Sequence, residues 1–174
     1  SANDRVLSLI DKGTDQKTER EVLEKSHNAG IWNHSFMFFG FPTETRDEAQ
    51  DTITFLEKNL HSIHSFGPGV FLLNRDSSCY QYPKKFSITK IIQNPEANMA
   101  MNLDFEASSG MSREEAVKMN TKCISMAEDK FPSLQIWGTL PREHFLLYLD
   151  RYGKEGLSGN EPPEKKEDEV LCKV

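Results

Sequence analysis

Apolar residues recur three and four positions apart over 3–12, where Val6, Leu7, Leu9 and Ile10 share one side. This predicts a short helix that Gly13 stops. A second helix is predicted over 15–29, capped by Thr14, with Val22, Leu23 and Ala29 on one side. Gly30 takes the position after it, where a left-handed residue is needed. Residues 31–39, IWNHSFMFF, drop the helical period and are aromatic and β-branched between two glycines. They predict a strand, buried on both faces toward its end. Gly40-Phe41-Pro42 then turns the chain, and Thr45 with Glu48 has the spacing of a capping box. A third helix is predicted over 46–59, with Ile53, Phe55 and Leu56 apolar. Residues 69–73, GVFLL, predict another short buried strand. Strands separated by amphipathic helices indicate βα units and a parallel sheet, either an α/β barrel or a doubly wound sheet.

The pattern changes after residue 74. Residues 74–87 are polar and aromatic and predict a loop, with short extended segments at 86–92 and 101–106. Ser112 and Glu115 make a second capping box, opening a long helix to about Phe131 whose apolar side holds Ala116, Met119, Cys123, Ile124 and Ala127. Pro141 at the first helical position opens a last helix over 141–152, ended by Gly153. From Lys154 onward the sequence predicts a disordered tail: residues 155–174 hold six acids against three lysines, with Pro162-Pro163. The division expected is therefore 1–92, 93–153 and 154–174.

Composition narrows the classes. Leu, Ile, Val and Phe make about 24% of the 174 residues, enough for a core. Mean hydropathy is −0.60, and no apolar run approaches the ~18 residues of a spanning helix, so a membrane protein is not expected. A net charge of −6 with only isolated lysine pairs argues against nucleic-acid binding. Three cysteines, at 79, 123 and 172, suit a reducing, cytoplasmic setting better than a disulfide scaffold, and their spacing makes no zinc or iron–sulfur motif.

Candidate chemistry concentrates in FMFFGFPTE, Phe36 to Glu44. A buried strand ends in glycine, then proline, a carboxylate and a capped helix, which is where α/β folds bind ligands. Gly40 permits close approach to the backbone, Pro42 stiffens the turn, and Glu44 lies beside a helix N-terminus. A well-made βα turn without a ligand fits the same residues. His61 and His64 are spaced to share a metal but lack a third ligand nearby, and surface histidines are the commoner case. His34 reads as a neutral core or cleft residue in the strand, and Trp32, Phe36 and Phe38 read as core. Neither Cys79 nor Cys123 has a neighbouring base in sequence.

Two segments resemble a known family. Ser1-Ala2-Asn3-Asp4-Arg5-Val6-Leu7 with Ile10-Asp11-Lys12-Gly13-Thr14 resembles the stretch after the fourth strand of radical S-adenosylmethionine enzymes. His27-Asn28-Ala29-Gly30-Ile31, followed by Met37-Phe38-Phe39-Gly40-Phe41-Pro42-Thr43-Glu44-Thr45, resembles the next helix–strand unit, with its GFPxET turn. Arg142 to Leu149 resembles the C-terminal helix of members that carry a cobalamin-binding domain.

The resemblance implies the C-terminal portion of a partial (β/α)6 barrel followed by a mainly helical extension. In that family a 4Fe-4S cluster on a CxxxCxxC motif reduces S-adenosylmethionine to a 5′-deoxyadenosyl radical, the cofactor supplying the chemistry. No CxxxCxxC occurs here, and the first residue is Ser1 rather than Met. The expectation is a fragment that pairs with a missing N-terminal half, holds no cluster by itself, and acts with it on a small-molecule or peptide substrate. By resemblance, Ser1 meets the ribose, and Lys12 the methionyl carboxylate as a point charge. Phe38, Gly40, Phe41, Leu72 and Leu73 flank adenine, Glu44 braces the turn, and His34, Ser77, Ser78 and Tyr80 lie near substrate. Two alternatives stand beside it: a non-catalytic α/β binding module, and another barrel enzyme using Glu44 as acid or base.

Overall fold

The computed structural model describes residues 1–93, 100–130 and 144–153. It divides into two units, Ser1–Met126 and Ala127–Val174. The first opens with helix α1 (Asp4–Ile10), capped by Asn3, whose side chain accepts from the amides of Arg5 and Val6. Asp11, left-handed at φ 60°, ends it before Gly13 is reached. Helix α2 (Gln16–Asn28) is capped by Asp15 and not by Thr14, the carboxylate accepting from Thr18 N–H at 2.7 Å. None of its residues is fully buried: Val22 is exposed and Leu23 half-buried, and both border a depression with Phe55 and Leu56.

Strand β1 (His34–Phe39), helix α3 (Arg46–Lys58) and strand β2 (Ser65–Val70) form one βαβ unit, the strands pairing in parallel from His34 opposite Ser65 to Phe39 opposite Val70. The capping box of Thr45 and Glu48 opens α3, and Ala49, Thr52, Ile53 and Leu56 are its buried side. β1 is buried on one face, by Met37 and Phe39, while Phe36 on the other is 76% exposed. On that other face Phe38 is half-buried against Phe41 and Phe71, so the expected burial toward the strand's end holds in part, while Phe36 is left uncovered. Phe36 lies across Gly67 instead: a Cβ there would stand 3.2 Å from its ring.

The expected strand over 69–73 is two pieces. β2 starts earlier and stops at Val70, and Leu73–Asn74 forms β3 in a separate antiparallel sheet. That sheet has the order β3–β5–β4, with β4 (Ile88–Ile92) and β5 (Asn102–Ala107). The predicted loop holds a short helix, α4 (Ser78–Gln81), and a 3-10 turn over Pro83–Phe86. Val6, Phe41, Leu73, Cys79, Phe86, Ile88 and Leu103 make one buried cluster joining α1, the turn after β1 and the antiparallel sheet. Burying each such aliphatic or aromatic side chain contributes roughly 1.5–3 kcal/mol.

Helix α5 (Arg113–Lys130) opens on the Ser112–Glu115 box, in which Ser112 N–H donates to Glu115 Oε2 at 2.8 Å and Glu115 N–H to Ser112 Oγ at 3.2 Å. Cys123 Sγ lies 4.0 Å from Met37 Sδ, which seats α5 on the buried face of β1. In the second unit, helix α6 (Phe145–Tyr152) is described, with Gly153 after it. The predicted start at Pro141, the tail from 154 and Cys172 lie outside the described residues.

The fold is thus mixed α/β with two small sheets, and the described strands do not close a barrel. Among the described residues, no helix is long and apolar enough to cross a membrane.

Candidate functional site

The turn after β1 is built by two glutamates with different tasks. Glu44 is fully buried. Its Oε2 accepts from the amides of Gly40 at 2.6 Å and Phe41 at 3.3 Å, while Oε1 is buried without a hydrogen-bond partner. Burial pushes the carboxyl above the usual range, and the two amides only partly offset that. Glu48 is held down to about 2, chiefly by its hydrogen bond from Arg5. Arg5 Nε bonds Glu48 Oε1, and Arg5 Nη2 donates to Glu48 Oε2 at 2.6 Å and to Thr43 O at 2.8 Å. Arg5 therefore ties α1 to Thr43, which sits in the left-handed region at φ 72°. From the other side, Met111 N–H donates to Glu44 O at 2.8 Å. Gly110 approaches so closely that a Cβ would stand 2.7 Å from Thr43 Cα.

This braced turn borders a cleft of about 660 Å³ at the carboxyl ends of the parallel strands. Gly40 and Pro42 follow β1, Val70 and Phe71 end β2, and β5 with the start of α5 supplies the far wall. That is the side of an α/β sheet where ligands bind. Phe71 and Phe105 meet edge to face with centroids 5.7 Å apart. The rim is charged: Arg113 Nη1 pairs with Asp104 Oδ1 at 2.6 Å, and Lys90 Nζ with Glu106 Oε1 at 3.4 Å. Glu115 is drawn below the usual carboxylate range by the Ser112 amide, then its hydroxyl. The arrangement suits a ligand with a flat apolar body and a polar end.

Of the residues singled out from sequence, Gly40 lines this cleft. Its φ is +81°, but the close approach it permits is to a helix: a Cβ would stand 2.6 Å from Ala116 Cβ. Phe41 and Leu73 are in the buried cluster, with Phe38 and Tyr80 packed against it. Leu72 is exposed. Ser77 caps α4, its Oγ donating to Asn74 O at 2.7 Å, and Ser78 is exposed. Ser1 and Lys12 do not join the cleft lining: Ser1 Oγ lies 3.3 Å from Thr52 Oγ1, and Lys12 is exposed beyond α1. Asp104, Glu106, Arg113 and the Ser109–Met111 segment carry no sequence signal for this cleft. The Ser112–Glu115 box signalled a helix start, but its placement at the strand ends depends on long-range packing.

Four of the five histidines, His27, His34, His61 and His64, gather toward the opposite end of β1. His64 Nδ1 accepts from Asn33 N–H at 2.9 Å, so neutral His64 carries its proton on Nε2, which lies 3.3 Å from His27 Nδ1. His64 stacks between Trp32 and His27, with centroids 4.9 and 5.3 Å away, and His61 meets His27 edge-on at 6.4 Å. His34 Nδ1 lies 2.7 Å from Ser65 Oγ. Trp32 is half-buried and Phe36 exposed, so of the expected aromatic core only Phe38 packs against the buried cluster, and His34 is half-buried. Among the described residues, no group of three or more His, Cys, Asp or Glu is disposed to hold a metal. Cys79 and Cys123 are buried free thiols, and burial pushes Cys123 up to about 12.

Comparison with profiles of known protein families, with curated proteins and with solved structures gives no match.

Proposed function

We propose that the chain contributes the C-terminal part of a partial (β/α)6 barrel in a radical S-adenosylmethionine enzyme. Its partner on this reading is the N-terminal half of that barrel, its substrate a small molecule or peptide, and its setting the cytoplasm. The observation that carries the reading is the βαβ unit whose GFPxET turn, braced by Glu44 and Arg5, borders an aromatic-walled cleft at the strand ends. The cleft's flat faces at Phe71 and Phe105 suit an adenosyl group, and the rim at Arg113 and Asp104 suits its polar substituents.

The two cysteines among the described residues do not fit an iron–sulfur cluster. Cys79 and Cys123 are buried, and both thiols are raised by burial, which disfavours the thiolate a cluster needs. A cluster, and cobalamin if the enzyme uses it, would come from elsewhere in the intact enzyme. The residues present bind and orient. The same buried thiols favour a second reading, a non-catalytic module that kept the strand-end cleft for binding alone.

The test is a titration of the 15N-labelled chain with S-adenosylhomocysteine, read by amide shifts. Shifts centred on Gly40, Phe71 and Phe105, weakened at least tenfold by Phe105→Leu, are expected. No response at those amides up to the solubility limit, or equal binding by the variant, overturns the adenosyl assignment.

A further inference from the structure

The two sheets part at Leu72. Phe71 N–H donates to Phe39 O at 2.8 Å, which keeps the chain up to that point with β1. Leu73 and Asn74 then pair with β5, opposite Leu103 and Asn102. β3 is only those two residues, so it covers the start of β5 and no more. Beyond it, Asp104, Phe105, Glu106 and Ala107 all line the cleft. Successive strand residues point to opposite faces, so a cleft touching four in a row follows the strand's edge and not one face.

Two hydrogen bonds fix which backbone groups that edge presents. Arg75 N–H donates to Met101 O at 3.0 Å on the β3 side, and Ser108 N–H to Ser87 O at 2.9 Å on the β4 side. Antiparallel pairing turns successive residues to alternate sides. The register advances one residue at a time on β5, and its irregularity is the extra residue on β4 between Ile88 and Lys90. Leu103, Phe105 and Ala107 therefore turn their N–H and C=O groups to the β3 side, and Asp104 and Glu106 turn theirs to β4. Leu103 meets Leu73. Among the described residues, no strand lies opposite Phe105 and Ala107 on that side. The gap lies between two stretches of this chain, residues 70–74 and 102–107. It is not the edge of β1, where the preceding strand of a barrel would pair.

We propose that the substrate is a peptide, held in the cleft as an extended strand antiparallel to β5, in the place that β3 leaves. This rests on the reading given under Proposed function and narrows its substrate class from small molecule or peptide to peptide. The groups of Phe105 and Ala107 repeat about every 7 Å, which an extended backbone matches. The faces of β5 set the peptide's pattern. Phe105 and Ala107 are half-buried, whereas Asp104 and Glu106 are exposed. Peptide residues opposite Phe105 and Ala107 share their inward face and are apolar, and the residues between share the face of Asp104 and Glu106 and are polar. Acids outnumber bases in the lining, with Asp104, Glu106 and Glu115 against Arg113, so basic side chains suit that face better than acidic ones. The adenosyl reading uses the rings of Phe71 and Phe105, and the strand uses the backbone of Phe105 and Ala107, so each can fail without the other.

The test is amide hydrogen exchange on the chain, free and with a capped heptapeptide alternating valine and lysine. In the free chain, the Phe105 and Ala107 amides should exchange at least tenfold faster than those of Asp104 and Ser108. The peptide should slow them tenfold or more, and its valine–glutamate counterpart should bind at least threefold more weakly. In this pairing the valines make the hydrogen bonds to β5. A copy N-methylated at the valines should therefore give no protection, and a copy N-methylated at the lysines should protect as the parent peptide does. Ala107→Pro removes an N–H that β4 does not use, so it should abolish protection at Phe105 while circular dichroism stays native. The proposal is overturned by slow exchange at Phe105 and Ala107 in the free chain, by no protection, by equal binding of the glutamate peptide, or by equal effects of the two methylated copies. The S-adenosylhomocysteine titration, run on the same sample, separates the two readings. A response to it without peptide protection overturns the strand alone. Peptide protection without that response overturns the adenosyl reading, and with it the peptide's role as substrate.

Discussion

Glu44 and Glu48 lie four residues apart in one turn, and the fold moves their acidities in opposite directions. Glu48 gains from ionisation: its depressed pKa gives stability present above the ordinary carboxylate value and lost as pH falls toward about 2. Glu44 is the reverse. With its folded pKa raised, the protonated form suits the site, so its contribution is present below the ordinary value and lost as pH rises through the raised one. Glu44→Gln keeps an oxygen for the Gly40 and Phe41 amides and removes the ionisation. At pH 4 the variant should lie within about 1 kcal/mol of the parent. As pH rises to 8 the difference should move steadily in favour of the variant. Urea denaturation across that range measures it. Glu48 is common to both proteins and cancels, so a pH-independent difference would mean Glu44 ionises without cost. This pairing was half legible: the Thr45–Glu48 box is local, whereas the burial of Glu44 depends on what packs over the turn.

Among the elements, what could be read from sequence was what neighbouring residues decide. Both capping boxes form as spaced, because each links groups three residues apart. The cap of α2 passed to Asp15, since a carboxylate at that position reaches Thr18 directly. The strand expected over 69–73 starts earlier, at Ser65, because pairing with β1 holds Gly67-Pro68-Gly69 extended where glycine and proline have little strand preference of their own. Gly40 was read as room for a ligand, and the room is taken by Ala116 of α5. Gly40→Ala should therefore cost about 2–4 kcal/mol, part from a left-handed backbone and part from overpacking. Ala116→Gly alone should cost about 1 kcal/mol for glycine in a helix. Together they should lose less than the sum, because removing one methyl admits the other, while the backbone part persists. A double-mutant cycle in urea reads this coupling. Strict additivity would mean that α5 does not rest on the strand end.

At the scale of the whole molecule, the sequence indicated βα alternation but not how far it runs. One βαβ unit forms, and the chain then turns to an antiparallel sheet whose core is shared with α1 and the turn after β1. Nothing local distinguishes a strand that will pair in parallel from one that will not, which is why residues 69–73 were joined when they belong to two sheets. The cysteines report on this packing. Cys79 sits in the shared cluster and Cys123 under β1, both raised by burial. A buried, protonated thiol reacts with iodoacetamide only when the structure around it opens. Cys79 and Cys123 should therefore be alkylated at least a hundredfold more slowly in the native chain than in urea, by peptide mass spectrometry. Urea dependence separates the two routes to labelling. If both thiols follow global unfolding, their rates rise together with the full denaturant slope. If the antiparallel sheet opens as its own cooperative unit, Cys79 labels first, with a shallower slope, while Cys123 stays protected. Rapid native labelling of both would mean that neither the shared cluster nor the seat of α5 on β1 is formed.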